Sequence, residues 1–184
     1  FYVIEMGSVK PDAPVLAVVG GVHGVERIGT QVILSFMKSL IRRLHWDPVV
    51  KEQLENIRLL MIPIVNPGGM AENSRSNLNG VDLMRNAPVE AEGNTPWLVG
   101  GHRISRSLPW YRGPAGAPMQ TESRALCDAV HHALKDQKFC ISIDCHSGFG
   151  TRDRLWFPYA KSTNPWPGIG EIGRASCRER GEIS

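Results

Sequence analysis

Val15-Leu16-Ala17-Val18-Val19 is an apolar, mostly β-branched run that stops at Gly20-Gly21. A run this short, closed by glycines, reads as a buried strand rather than a helix. Val22-His23-Gly24-Val25-Glu26 comes next, and a helical pattern starts at Arg27. A strand that turns straight into a helix constrains the chain to an α/β sheet with helices laid on it. Open sheets of this kind hold ligands at the carboxyl ends of their strands. His23 and Glu26 stand at such an end, and imidazole with carboxylate is a donor pair suited to zinc. The same residues also fit a plain strand-to-helix turn, with a solvated histidine and a glutamate drawn to the positive end of the helix dipole.

A second strand end tips this balance. Phe139-Cys140-Ile141-Ser142-Ile143 reads as another strand and runs into Asp144-Cys145-His146-Ser147-Gly148. His146 becomes a third candidate ligand, because two strands of one sheet can bring distant residues together. Cys145 beside it invites a thiol-nucleophile reading. Neighbours along a strand point to opposite faces, however, so Cys145 is expected to be a small, semi-buried residue.

Between these ends lie Asn66-Pro67-Gly68-Gly69, then Arg75, then Asn79-Gly80-Val81-Asp82-Leu83-Met84-Arg85-Asn86. The order His-Gly-x-Glu, Asn-Pro-Gly, Arg, Asn-Gly-Val-Asp-Leu-x-Arg-Asn, His-Ser-Gly resembles the zinc carboxypeptidase family, which includes the carboxypeptidase A type and the succinylglutamate desuccinylase/aspartoacylase branch. The resemblance implies a mixed, mainly parallel sheet flanked by helices, incomplete on its C-terminal side. It implies Zn2+ held by His23, Glu26 and His146. It implies an oxyanion-stabilising role for Arg75, a role for Asp82 in orienting His23, and a role for Arg85 in pairing with a substrate carboxylate. The residue before that arginine is normally Asn in the family; here it is Met84, which leaves the substrate's end group open. The implied activity is hydrolysis of an amide bond next to a free carboxylate, on a peptide or an N-acyl amino acid. The alternatives are a desuccinylase- or aspartoacylase-like deacylase and a non-catalytic zinc-binding fragment. The family's general base is a glutamate well after the last zinc histidine. Glu122 precedes that histidine, and Glu171 and Glu182 lie in a tail that resembles translated adapter sequence. The chain is therefore expected to stop short of its base, with residues 1–170 as the catalytic domain and 171–184 as a non-native tail.

The remaining pattern is that of alternating strands and helices. Phe1–Met6 reads as a strand that starts mid-element, so the absence of a leader leaves the compartment open. Ile28, Val32, Phe36, Leu40, Ile41 and Leu44 recur at helical spacing, with Phe36 and Met37 as expected core residues. Asp47-Pro48 opens a short helix to about Glu55, with Asp47 as its cap. Arg58–Val65 reads as a strand in which Pro63 suggests an edge or a bulge. Residues 86–118 are irregular and rich in Pro and aromatic residues. Two readings of them stand, a cleft wall and a packed surface loop, and His102 within them is expected to be solvated. A helix over Met119–Asp136 is expected to bury Leu126, Ala129, Val130, Ala133 and Leu134, with Thr121 as its cap and His131 and His132 outside. Leu155–Tyr159 reads as a short strand near the site, with Trp156 and Tyr159 as either core or substrate contacts.

Composition sets the outer limits. The chain's 184 residues suffice for one domain with a core. A net charge of +3 is too slight to argue for a nucleic-acid partner. No apolar run reaches the length of a membrane span. Four cysteines without a Cys-x-x-Cys pair point to reduced thiols rather than a disulfide framework.

Overall fold

The computed structural model describes residues 1–148. The expected strand at Leu155–Tyr159 and the tail from residue 171 lie outside them. Among the described residues, four strands form one sheet in the order β1-β3-β2-β4. These are β1 (Ile4–Gly7), β2 (Val15–Gly20), β3 (Arg58–Ile62) and β4 (Cys140–Cys145). β2 pairs parallel with both β3 and β4, and β1 pairs antiparallel with β3. The sheet is thus mixed and mainly parallel, as expected. No helix of the described residues is long and apolar enough to cross a membrane.

Strand alternation divides the core in two. Val15, Ala17 and Val19 of β2, with Leu60 and Ile62 of β3, face helix α4 (Thr121–Leu134), whose Leu126, Ala129, Val130, Ala133 and Leu134 pack on them. Leu16 and Val18, with Leu59 and Met61, face α1 (Arg27–Leu44) and α2 (Pro48–Asn56) on the other side. Both faces of β2 and β3 are therefore covered, which explains their unbroken apolar runs.

Several local details depart from the expectations. In α1 the buried residues are Gly29, Thr30 and Ile33, with Met37, Leu40 and Leu44 packed beside them. Ile28, Val32 and Phe36 lie on an exposed flank at 51%, 51% and 39% exposure. Close approach explains the rotation: a Cβ at Gly29 would run into the backbone carbonyl of Cys145, so the helix seats its small residues on the sheet. Pro63 neither bulges nor sits on an edge strand. β3 is interior and ends at Ile62, so the proline's missing N–H falls outside the ladder. Asp47 caps α2 as expected, its Oδ1 accepting from Val49 N at 3.0 Å and Val50 N at 3.3 Å. α4 begins one residue past its actual N-cap, Gln120, and Thr121 makes no capping bond. Residues 67–71 form a short helix, α3 (Pro67–Ala71), which no sequence pattern marked; Asn66 caps it, its Oδ1 accepting from Gly69 N at 2.8 Å.

Candidate active site

The parallel register sets Gly20 of β2 opposite Cys145 of β4. Both chains leave the sheet at the same level, so the loop bearing His23 and the residue His146 emerge side by side. Asn66 pins the first loop. Its side chain is fully buried, and its amide donates to Val22 O at 3.3 Å while its own backbone N donates to Gly21 O at 2.9 Å. Gly24 lies so near the Gly69 backbone that a Cβ there would overlap it, and only glycine lets the loop sit this deep. The Asn-Pro-Gly-Gly segment thus serves as the seat of the histidine loop.

His23 is 1% exposed. Its Nδ1 lies 2.8 Å from Glu26 Oε1 and its Nε2 lies 3.1 Å from Asp82 Oδ1. Burial pulls its pKa down, but the hydrogen bonds to Asp82 and Glu26 outweigh that pull and the pKa is raised. The Glu26 carboxyl behaves in the opposite sense. Burial pushes it up, while His23 and the Ser147 N–H, which donates to Oε2 at 2.8 Å, hold it below the ordinary range. The Asp82 carboxyl is fully buried; despite that, His23 and Arg75 bring its pKa down to about 2. Arg75 spans both acids, with Nε donating to Asp82 Oδ2 at 2.9 Å and an Nη to Glu26 Oε1 at 3.2 Å.

His146 meets His23 edge to face, with ring centroids 4.9 Å apart. One ring nitrogen each from His23 and His146 and a carboxylate oxygen of Glu26 lie within 4.8 Å of one another. Ligands about 2.0–2.2 Å from a tetrahedral zinc stand roughly 3.3–3.6 Å apart, so these three atoms fit such an ion after a contraction of about 1 Å. Asp82 faces Nε2 of His23, so Nδ1 is the ring nitrogen that could ligate a metal, an arrangement typical of metal-binding histidines.

Arg85 is half-buried at the next turn. Its Nε donates to Val99 O at 3.0 Å, and burial, reinforced by the Arg75 charge and opposed by Asp82, lowers its pKa. Met84 beside it is 45% exposed, while its backbone N donates to Asp82 Oδ1 at 3.1 Å.

Two site residues were not anticipated. Asp144 Oδ1 lies 3.0 Å from His146 Nδ1, and the spacing of two along a strand, which places both on one face, was the available signal. Ser147 contributes through its backbone, which no side-chain pattern reveals. Cys145 packs on the α1 side of the sheet, away from His146, and burial and then Asp144 push its thiol pKa up. A nucleophile needs the opposite shift. Glu122 accepts from Asn77 Nδ2 at 3.3 Å at the start of α4.

A family model described as zinc carboxypeptidase matches residues 1–175. Carboxypeptidase B of Rattus norvegicus is 24% identical over 168 residues, covering 86% of this chain and 39% of that protein. Carboxypeptidase SOL1 of Arabidopsis thaliana is 33% identical over 91 residues, covering 47% of this chain and 18% of that protein. The crystal structure of thrombin activatable fibrinolysis inhibitor superposes with a TM-score of 0.71 at 22% identity, covering 97% of this chain and 45% of that one. The chain thus spans less than half the length of these relatives, and the superposition shows a shared fold. With the family pattern matched along nearly its whole length, the chain belongs to the zinc carboxypeptidase family.

Proposed function

We propose that this chain supplies the metal-binding part of a zinc-dependent, metallocarboxypeptidase-like hydrolase that cleaves an amide bond next to a free carboxylate. The observation that carries the reading is the convergence of His23, Glu26 and His146 within 4.8 Å, with Asp82 behind His23. When bound there, zinc supplies a Lewis acid that polarises a carbonyl and lowers the pKa of water. Asp82 accepts the Nε2 proton of His23 and so keeps Nδ1 as a lone-pair donor. Arg75, anchored by two carboxylates, presents positive charge beside the ligand cluster, where an oxyanion would develop. Arg85 pairs with the substrate carboxylate. Its half-buried guanidinium lies in the field of a second arginine, and an incoming anion offsets the burial and the like charge that depress its pKa.

Peptides are the favoured substrates, and N-acyl amino acids are the second reading. Met84 favours the latter, because it departs from the asparagine that is normal before this arginine in the family. Turnover of N-acyl amino acids with none of peptides would select it.

Metal analysis tests the core of the reading. The purified chain should carry about one zinc, lost in both His23→Ala and His146→Ala. A folded wild-type chain that binds no zinc, or a histidine variant that keeps it, would overturn the assignment.

A further inference from the structure

The loop over residues 97–113 holds two non-glycine residues in the left-handed region, Leu98 and Trp110, both at φ 67°. Such backbone is costly and persists only where its surroundings impose it. Each of these residues immediately precedes one whose carbonyl braces the site. Val99 O accepts from Arg85 Nε at 3.0 Å, and Tyr111 O accepts from Asp82 N at 2.8 Å. Arg112 Nε donates back to Arg85 O at 3.0 Å, and Asn86 Nδ2 donates to Arg112 O at 2.8 Å.

His102 ties the two limbs of this loop together. Contrary to expectation it is not solvated; it is 8% exposed. Its Nε2 lies 2.9 Å from Pro109 O, and its Nδ1 accepts from Ile104 N at 3.1 Å. A backbone N–H only donates, so Nδ1 carries the lone pair and Nε2 the proton, and the ring is neutral. The backbone adds His102 N to Trp110 O at 3.2 Å and Arg112 N to His102 O at 2.8 Å. The ring centroid lies 5.9 Å from that of Tyr111. Both ring nitrogens are thus committed within the loop, apart from the candidate ligands His23, Glu26 and His146.

We propose that His102 is a positioning residue for carboxylate recognition: its Nε2–H bond to Pro109 locks the loop so that Val99 O holds the Arg85 guanidinium in place. A long arginine side chain loses rotamer freedom when it grips a ligand, and fixing it beforehand removes that cost from binding. With Nε held by Val99, the guanidinium's terminal pair of nitrogens is the edge that suits a carboxylate. The inference rests on the reading of Arg85 given above.

The test titrates the zinc-loaded full chain with an N-acetyl dipeptide bearing a free C-terminal carboxylate and, separately, with its C-terminal amide. Wild type should prefer the carboxylate, and Arg85→Ala should lose the preference. His102→Asn keeps an acceptor for Ile104 N–H but cannot reach Pro109. It should weaken carboxylate binding about fivefold, the loss expected for one neutral hydrogen bond, and leave amide binding unchanged. His102→Gln places an N–H where Nε2 stood and should restore carboxylate affinity to within about twofold of wild type. A wild-type preference retained in full by His102→Asn overturns the positioning role and leaves Arg85 in place; equal loss for carboxylate and amide also overturns it. No preference in wild type, or a preference that survives Arg85→Ala, overturns the reading of Arg85 and the inference with it. Should His102→Asn fail to fold, His102→Leu takes its place: a selective loss of carboxylate affinity that His102→Gln regains supports the Pro109 lock, and full retention in His102→Leu overturns it.

Discussion

Asp82 is where the most sensitive perturbation can be made. One oxygen faces His23 Nε2 at 3.1 Å and Met84 N at 3.1 Å, and the other faces Arg75 Nε at 2.9 Å. Asp82→Asn keeps the shape but must turn an NH2 toward one of these donors. If the amide faces Arg75, two donors oppose each other. If it faces His23, it forces the tautomer with the proton on Nδ1, the atom assigned to the metal. The fall of the Asp82 pKa from 3.8 to about 2 corresponds to roughly 2–3 kcal/mol at about 1.4 kcal/mol per pH unit. Because this pKa is depressed in the folded state, that stability is fully present above pH 3.8 and is lost as pH falls through about 2. In metal-free chain at neutral pH, Asp82→Asn should therefore cost about 2–4 kcal/mol in urea denaturation, the upper end reflecting a buried donor clash. Zinc affinity should fall about 10–100-fold. In an Arg75→Met background the stability cost should shrink, since one of the opposed donors is gone. A cost below about 0.5 kcal/mol with unchanged zinc affinity would refute the view that Asp82 orients His23 and anchors Arg75.

Three further outcomes follow from the same geometry. Gly24→Ala should lower stability by about 2 kcal/mol or more and reduce zinc occupancy, because the added Cβ meets the Gly69 backbone; thermal melting with metal analysis checks it, and a neutral substitution would contradict the packing. Thr30→Val removes the hydroxyl that donates to Pro63 O at 2.7 Å and should cost about 1–3 kcal/mol in urea denaturation by leaving a buried carbonyl unpaired. The Asp47 pKa is lowered, first by its hydrogen bond from Arg43, so its contribution is present above pH 3.8 and declines as pH falls through the folded value. Comparing wild type with Asp47→Asn across acid pH should show a stability gap that closes as pH drops, and a gap that stays constant would contradict the sign.

Much of the site is legible locally because strand ends and turns are written in short patterns. The run Val15–Val19 with its glycines, the Asp47-Pro48 start and the apolar stripe of α4 each specify an element from within about a dozen residues, and each is found in the structure. His23, Glu26 and His146 were identifiable because they sit directly after such strands. Faces and neighbours were less legible. Helical spacing marks Ile28, Val32 and Phe36 as strongly as Ile33, yet the close approach at Gly29 turns Ile33 inward. His102 carries no local sign of burial, and its partner Pro109 is reached only by the path of an irregular loop.

The candidate donors and the elements that end in them are encoded locally, since periodicity, caps and turn residues act over a few positions. The placement of β4 beside β2 in the register Gly20 to Cys145 is a property of the folded chain alone, and it brings His146 within 4.8 Å of partners more than a hundred residues earlier. Strand order and register depend on which apolar faces are buried together across the whole chain, and that long-range balance leaves no mark in any single stretch.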